Sequence, residues 1–261
     1  MQHKKRLVKE ETEVILPEKV IREVEQIITR ELSREEQKAE REKQMEKDQI
    51  ASWVPKTRLG KLVKSGEIKN IDEIIDNKLK ILEDEIVGSL LTLQSDLILI
   101  GQAKGKFGGG KRRAWKQTQR KTQEGNVATF SALVVIGDGQ GRVGIGQGRA
   151  KETLPARAKA LRQAKLNIIK VKRGCGSFEC SDKEQHSIPF KVEGKCGSVR
   201  VILIPAPQGT GLVIGNEAKK ILKLAGIKDI YSKTFGKTKT SLNLAKAVID
   251  ALQKTNRGIA A

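Results

Sequence analysis

Aromatic side chains make up only 3% of the 261 residues, and histidine occurs twice. So few rings exclude an extended stacking platform for single-stranded bases. The two histidines, His3 and His186, leave little scope for general acid–base catalysis, because histidine is the usual proton carrier of enzymes near neutral pH. No apolar run approaches the ~20 residues that a membrane-spanning helix requires, so we expect no membrane partner.

Cysteine is also scarce, with three residues that lack the spacing of a disulfide framework. We therefore expect a reducing compartment, the cytoplasm. Cys175, Cys180 and His186 are spaced like metal ligands, and Asp182 is the plausible fourth donor for a tetrahedral zinc ion. A zinc site and unligated thiols in a basic loop both fit this spacing. We predict no bound metal and no cofactor.

Basic residues outnumber acidic ones by 51 to 31, which gives a net charge of +20. The surplus is unevenly placed, because residues 1–100 carry a net charge of −2 and residues 101–261 carry +22. A surplus of this size indicates a polyanionic partner. The basic binding surface is therefore expected in the C-terminal 161 residues.

The N-terminal hundred residues have the pattern of an arm that packs on another surface. Residues 18–32 carry an apolar stripe at helical spacing, whereas residues 33–48 are mostly charged. A short helix is predicted from Ile71, and residues 84–100 are rich in apolar side chains. Exposed stripes of that length favour association, so we expect protein contacts there rather than RNA contacts.

Periodicity after residue 129 predicts an α+β fold. Residues 130–136 and 142–148 form a predicted hairpin around a turn at 138–141. A helix over 154–167, with Leu154, Ala158 and Leu161 on its apolar face, and a strand over 168–171 follow. The next unit is predicted to contain strands at 187–192, 198–205 and 227–232, and helices at 216–225, capped by Asn216, and 242–252. The predicted domains are 1–107, 108–171 and 172–261.

Two glycine motifs suggest nucleotide binding, but neither has the required context. Gly139–Gly144 matches G-x-G-x-x-G, yet its glycines lead into a second strand instead of a helix. Gly236-Lys237-Thr238 ends like a phosphate-binding loop, but Tyr231 stands where the first glycine belongs. We therefore predict that the protein is not an enzyme. A nucleotide-dependent enzyme and a free regulatory RNA-binding protein stay as the alternatives.

Several stretches together resemble the universal small-subunit ribosomal protein five family. They are FSALVVIGDG at 130–139, RVGIGQGRAK at 142–151, AKLNII at 164–169, PAPQGTG at 205–211, LAGIKD at 224–229 and LAKA at 244–247. WVPKTRLG at 53–60 and GKCGSV at 194–199 resemble the archaeal and eukaryotic branch, and RGCGSFEC at 173–180 resembles its archaeal form. The resemblance covers most of the chain from Trp53.

The resemblance implies a helical N-terminal extension, a domain like the double-stranded-RNA-binding fold, and a β-α-β C-terminal domain. It also implies binding to small-subunit rRNA in the cytoplasmic ribosome, with ribosomal proteins four and eight as neighbours. The family lies near the channel through which mRNA enters, influences decoding accuracy and is not catalytic. Asn126-Val127-Ala128 departs from the family, which usually carries basic residues there.

Basic residues of the C-terminal region are the candidate RNA ligands, because phosphate contacts fix a protein on folded RNA without reading its sequence. The predicted set is Lys104, Lys106, Lys111, Arg112, Arg113, Lys116, Arg120, Lys121, Arg142, Arg149, Lys151, Arg157, Arg162, Lys165, Lys172, Arg173, Lys237 and Lys239. The loops Gly209–Gly211 and Gly236–Lys239 are predicted to bring backbone amides close to phosphate.

Overall fold

A computed structural model describes residues 52–102, 112–176, 180 and 184–257. All of the elements below belong to the unit Val54–Ala261. The predictions for residues 18–32 and 33–48, and those for Lys104, Lys106 and Lys111, lie outside the described residues. None of the described helices is both long and apolar enough to cross a bilayer.

Helices and strands occur largely in separate runs along the described chain, as is typical of an α+β fold. In the first part they are α1 (Arg58–Lys64), α2 (Ile71–Asp76), α3 (Asp84–Leu90), β1 (Gln94–Leu97), β2 (Gly101–Gln102), β3 (Arg112–Arg113), β4 (Trp115–Thr122), β5 (Gly125–Gly137), β6 (Arg142–Ala150), α4 (Thr153–Leu166) and β7 (Ile168–Lys170). In the second part they are β8 (Val192–Cys196), β9 (Val199–Pro205), β10 (Leu212–Val213), α5 (Asn216–Leu224), β11 (Ile230–Phe235) and α6 (Ser241–Arg257).

The first sheet has the order β1-β5-β6-β7, and β4 pairs with the first half of β5. The predicted hairpin is confirmed as β5 and β6. Its turn is held by Asp138, whose carboxylate accepts the backbone N–H groups of Gln140 and Arg142. Strand β4 was not predicted, and β5 begins five residues before Phe130, where the sequence placed the start of the core.

Helix α4 packs against this sheet through small residues. Its buried side chains are Ala156, Ala160 and Ala164, whereas Leu154 is 76% exposed. The predicted apolar face, with Leu154 and Ala158, is therefore wrong. The reason lies in alternate glycines of β6, which leave no room for larger side chains between helix and sheet.

The glycine row of β6 touches the backbone of α4 directly. A Cβ atom added at Gly144, Gly146 or Gly148 would lie 2.1–2.4 Å from the carbonyl oxygen of the facing alanine. Gly144, the last glycine of the pattern that resembles a dinucleotide fingerprint, is therefore part of a close helix–sheet contact. Gly194 of β8 has the same role under α6, since its Cβ would lie 2.0 Å from the carbonyl oxygen of Ala247.

The second sheet has the order β10-β11-β9-β8, with only the β10–β11 pair parallel. The strand predicted at 187–192 is wrong, because Pro189 has no backbone N–H to give a ladder; only Ser187 forms a bridge, with Gly174. The strand predicted at 227–232 begins instead at Ile230, since Ile227 donates its N–H to Leu222 in the turn that ends α5. Asn216 is the first residue of α5, and Gly215 occupies the cap position.

The two sheets share one hydrophobic core. Leu133, Val135 and Val143 of the first sheet pack in the same buried cluster as residues of β9, α5 and α6. Ile86, Val87 and Ile98 are also fully buried, and β1 pairs with β5. The predicted packing of residues 84–100 on protein is confirmed, and the surface that covers them is the chain's own core.

Candidate RNA interface

Three basic side chains line one open face of the first sheet. Lys116 of β4 is the register partner of Ser131, and Ser131 is the partner of Arg149 on β6. Cross-strand partners project to the same face, and Arg120 lies on that face because side chains alternate along a strand. All three side chains are exposed. We call Lys116, Arg120 and Arg149 the basic row.

None of the salt bridges between described residues involves Lys116, Arg120 or Arg149. Between its members lie hydroxyl and amide groups, and the Arg149 guanidinium donates to Thr118 Oγ1 at 3.4 Å. Adjacent strands are ~4.8 Å apart, so the row spans about 10 Å across three strands. Such an array offers several positive charges to a phosphate backbone with no carboxylate to compete.

Other predicted residues are also exposed, but on different surfaces. Helix α4 presents Arg157 and Arg162, with Lys165 half-buried, and only Arg162 approaches a carboxylate, that of Asp84 at 3.8 Å. The remaining exposed members of the predicted set are Arg113, Lys121, Lys151, Lys172, Lys237 and Lys239. Lys159, which the prediction omitted, is exposed on α4 as well; its place between Arg157 and Arg162 was the available signal.

Three of the predicted arginines form hydrogen bonds or salt bridges within the chain. Arg112 donates to Glu217 at 2.9 Å and to Ser241 at 3.0 Å. Arg142 pairs with two carboxylates, and Arg173 donates to the carbonyl oxygens of residues 139 and 226, both at 3.4 Å. Their charges or donors already serve the fold, so we leave them out of the surface proposed below.

Arg142 ties helix α2 to the first sheet. Its Nε and Nη2 donate to both carboxylate oxygens of Asp72 at 2.8 and 2.9 Å, and its Nη1 donates to Asp138 at 2.8 Å. The hydrogen bonds that Arg142 donates lower the pKa of Asp72, and the same hydrogen bonds raise the pKa of Arg142. Sequence could not pair them, since 70 positions separate Asp72 from Arg142.

Replacing Asp72→Asn is expected to lower the free energy of unfolding by about 1 kcal/mol at pH 7, because the bidentate pair is partly exposed. The folded-state pKa lies below the ordinary value of 3.8. The stabilisation is therefore complete above that value and disappears as the pH falls through the folded pKa. Urea unfolding at stepped pH measures this difference.

Asp76→Asn is the matched control, because its carboxylate is 61% exposed and bonds only the half-exposed Lys170 among the described pairs. We expect a smaller effect from that change. A difference between the wild-type chain and Asp72→Asn that stays constant from pH 7 to pH 2 would contradict this assignment.

The glycine loops do not present free amides in the way the sequence suggested. Gly211 donates its N–H to Asp229 Oδ1 at 2.7 Å, and Thr210 donates to the carbonyl of Pro207. In the second loop, the N–H groups of Thr238 and Thr240 are bonded within the turn. The amides of Thr210, Gly211 and Thr238 are thus used by the fold, and phosphate contact by the other amides of the two loops stays a prediction.

A patch of apolar side chains on the second sheet was not predicted. Val213, Tyr231 and Phe235 are 42–49% exposed and share one face, since Val213 is the partner of Tyr231 and Phe235 lies four residues along the strand. We call these three residues the apolar patch. Tyr231 and Phe235, four residues apart on a strand and therefore on one face, were the signal that could have found it.

Comparison with known families places these features in context. The description "Ribosomal protein S5, N-terminal domain" matches residues 113–172, and "Ribosomal protein S5, C-terminal domain" matches residues 194–258. The class is thus a two-domain ribosomal protein of α+β fold, which is structural and not enzymatic.

Curated relatives agree over most of the chain. Small ribosomal subunit protein uS5 of Nanoarchaeum equitans is 52% identical over 206 residues, which cover 78% of this chain and 88% of the relative. The proteins of the same name from Staphylothermus marinus and Methanocaldococcus jannaschii are 48% and 49% identical and cover 83% and 79% of this chain, and 94% and 89% of their own lengths. The chain belongs to the small ribosomal subunit protein uS5 family.

Proposed function

We propose that this chain is a structural component of the small ribosomal subunit that binds small-subunit rRNA through the basic row. The observation that carries the proposal is the juxtaposition of Lys116, Arg120 and Arg149 on one open sheet face, where none of the three forms a salt bridge with another described residue. Phosphate contacts of this kind hold a protein on folded RNA and need no base readout. As part of the ribosome, the protein works in the cytoplasm.

The hairpin formed by β4 and β5 extends the basic row along the sheet. Arg120 lies opposite Val127, next to the point where the family usually carries basic residues and this chain has Asn126-Val127-Ala128. A cation on the paired strand can serve the same stretch of RNA backbone. The exposed basic side chains of α4 would extend the interface on the other face of the sheet.

The apolar patch is proposed as a contact with a neighbouring ribosomal protein, with ribosomal proteins four and eight as the candidates. Val213 offers no ring for base stacking, and exposed apolar side chains that share one face favour protein contacts. In this arrangement the protein would lie near the channel where mRNA enters and would influence decoding accuracy. These finer assignments rest on the family resemblance.

Photo-crosslinking in intact small subunits tests both contacts. A photoreactive residue at position 116 is expected to crosslink to rRNA, and one at position 235 to another ribosomal protein. A photoreactive residue at the buried position 221 should give crosslinks only within the chain. Crosslinks from position 116 to protein alone would contradict the proposed RNA interface, and crosslinks from position 235 to RNA alone would contradict the protein contact.

A further inference from the structure

The segment that joins the two sheets brings two thiols and one imidazole together. Cys175 Sγ and Cys180 Sγ each lie 3.4 Å from His186 Nε2, and the three ligand atoms all lie within 4.8 Å of one another. His186 is 1% exposed, and both cysteines are half-buried. We call these three residues the thiol–imidazole cluster.

The hydrogen bond at Nδ1 of His186 determines which ring nitrogen faces the two cysteines. Nδ1 lies 2.8 Å from Asp229 Oδ2, and Asp229 is itself buried. An ionised carboxylate only accepts hydrogen bonds, so Nδ1 carries the proton and Nε2 presents its lone pair to the cysteines. A carboxylate that orients a histidine in this way is the usual support of a metal-ligating imidazole.

Hydrogen bonding alone does not account for this arrangement. The single lone pair of Nε2 can accept one S–H proton, whereas two sulfur atoms approach it at the same distance. In a tetrahedral zinc site, with Zn–S near ~2.3 Å and Zn–N near ~2.0 Å, nitrogen and sulfur ligands are about 3.5 Å apart. One cation between the three atoms satisfies both contacts.

The surroundings of the cluster are fixed by the fold. Gly174 and Ser187 exchange two backbone hydrogen bonds of 2.8 and 2.9 Å, which holds residue 175 beside residue 186. Cys180 Sγ accepts the N–H of Gln208 at 3.3 Å, which holds this sulfur atom in place. The ligands are therefore supported on both sides.

We propose that Cys175, Cys180 and His186 bind one zinc-class divalent ion, with Asp229 as the positioning residue behind His186. Two thiolates and one imidazole are the donors that zinc prefers. An oxygen donor such as water completes the tetrahedron. The ion would cross-link the connecting segment, and the hydrogen bond between His186 and Asp229 would join that segment to the second part of the fold, so metal binding would contribute to the stability of the folded chain. This reverses our prediction of no metal, for which the sequence offered only Asp182 as a plausible fourth ligand.

Cobalt(II) titration of the full-length chain, freed of metal under reducing conditions, tests the proposal. We expect saturation at one Co²⁺ per chain, thiolate-to-cobalt charge-transfer absorption, the visible bands of tetrahedral coordination, and displacement by one equivalent of Zn²⁺. Cys196→Ser is the matched control and should bind like the wild type, because Cys196 is outside the cluster. Cys175→Ser and Cys180→Ser should each lose the stoichiometric charge-transfer signal.

The variant Asp229→Asn tests whether Asp229 positions His186 without itself binding the metal ion. The amide oxygen can still accept the N–H of Gly211, so the variant should keep one site and lose 10- to 100-fold in affinity. Unchanged affinity would overturn the positioning role of Asp229. In the wild-type chain, Zn²⁺ should protect two of the three thiols from alkylation. Thiols that react equally with and without Zn²⁺, or a wild-type chain without the cobalt signal, would overturn the site whether or not the cysteine variants fold.

Discussion

A chain carrying Lys116→Gln, Arg120→Gln and Arg149→Gln will bind small-subunit rRNA with a markedly weaker dependence on salt. Each lysine or arginine that neutralises a phosphate contributes about −0.7 to −0.9 to the slope of log K against log salt. Removing three such contacts is expected to flatten the slope by about two to three. Filter binding or fluorescence anisotropy across a salt series measures the slope directly.

The control removes the same charge elsewhere. Lys61, Lys69 and Lys80 are exposed in the charge-balanced N-terminal region, and their replacement by glutamine changes the net charge equally. The control slope should stay within the error of the wild type. If the two triple variants flatten the slope to the same degree, then overall charge and not the basic row determines binding.

Replacing Gly146→Val should disrupt the first sheet more than any surface change. A Cβ at this position would lie 2.2 Å from both the carbonyl oxygen of Ala160 and the backbone nitrogen of Ala164. Neither backbone atom can move without lifting α4 off the sheet. We expect a loss of about 3 kcal/mol or more in the free energy of unfolding, and a fall of roughly 6–12 °C in melting temperature.

Gly215→Ala is the companion control. Its backbone has an ordinary negative φ of −59°, and no atom lies within 4 Å of an added Cβ. Because Gly215 is the N-cap of α5 and alanine is a poorer cap, the change should lower the free energy of unfolding by no more than about 1 kcal/mol. Equal stability of the Gly146→Val and Gly215→Ala chains in thermal unfolding would contradict the close packing of α4 on β6.

The sequence predicted those elements whose apolar residues recur with a clear period. The β5–β6 hairpin, β9 and α6 were found in this way, because their alternating or helical stripes face the core. The buried face of α4 was missed, because alanine is only weakly hydrophobic and does not stand out in a hydropathy pattern. The glycines of β6 that face it do not contribute to such a pattern either. Strand β4 was missed for the related reason that its side chains are mostly polar and exposed.

The RNA interface was predicted from charge. Charge alone does not distinguish an exposed basic side chain from one that pairs with a carboxylate within the fold. Arg142 and Arg149 lie on the same strand, yet Arg142 pairs with carboxylates while Arg149 is exposed. Only the fold brings Asp72 to Arg142. The same limit applies to His186, whose partner Asp229 is 43 positions away and has no motif to reveal it.

Sedimentation of a cell extract through a high-salt gradient tests the central claim most directly, namely that this chain is an integral part of the small ribosomal subunit. Quantitative peptide analysis across the fractions compares the chain with other small-subunit proteins. We expect about one copy per small subunit, retained at salt concentrations that strip loosely bound RNA-binding proteins. A chain that stays in the slowly sedimenting fractions, or that occurs at far less than one copy per subunit, would contradict the claim and favour a free RNA-binding protein.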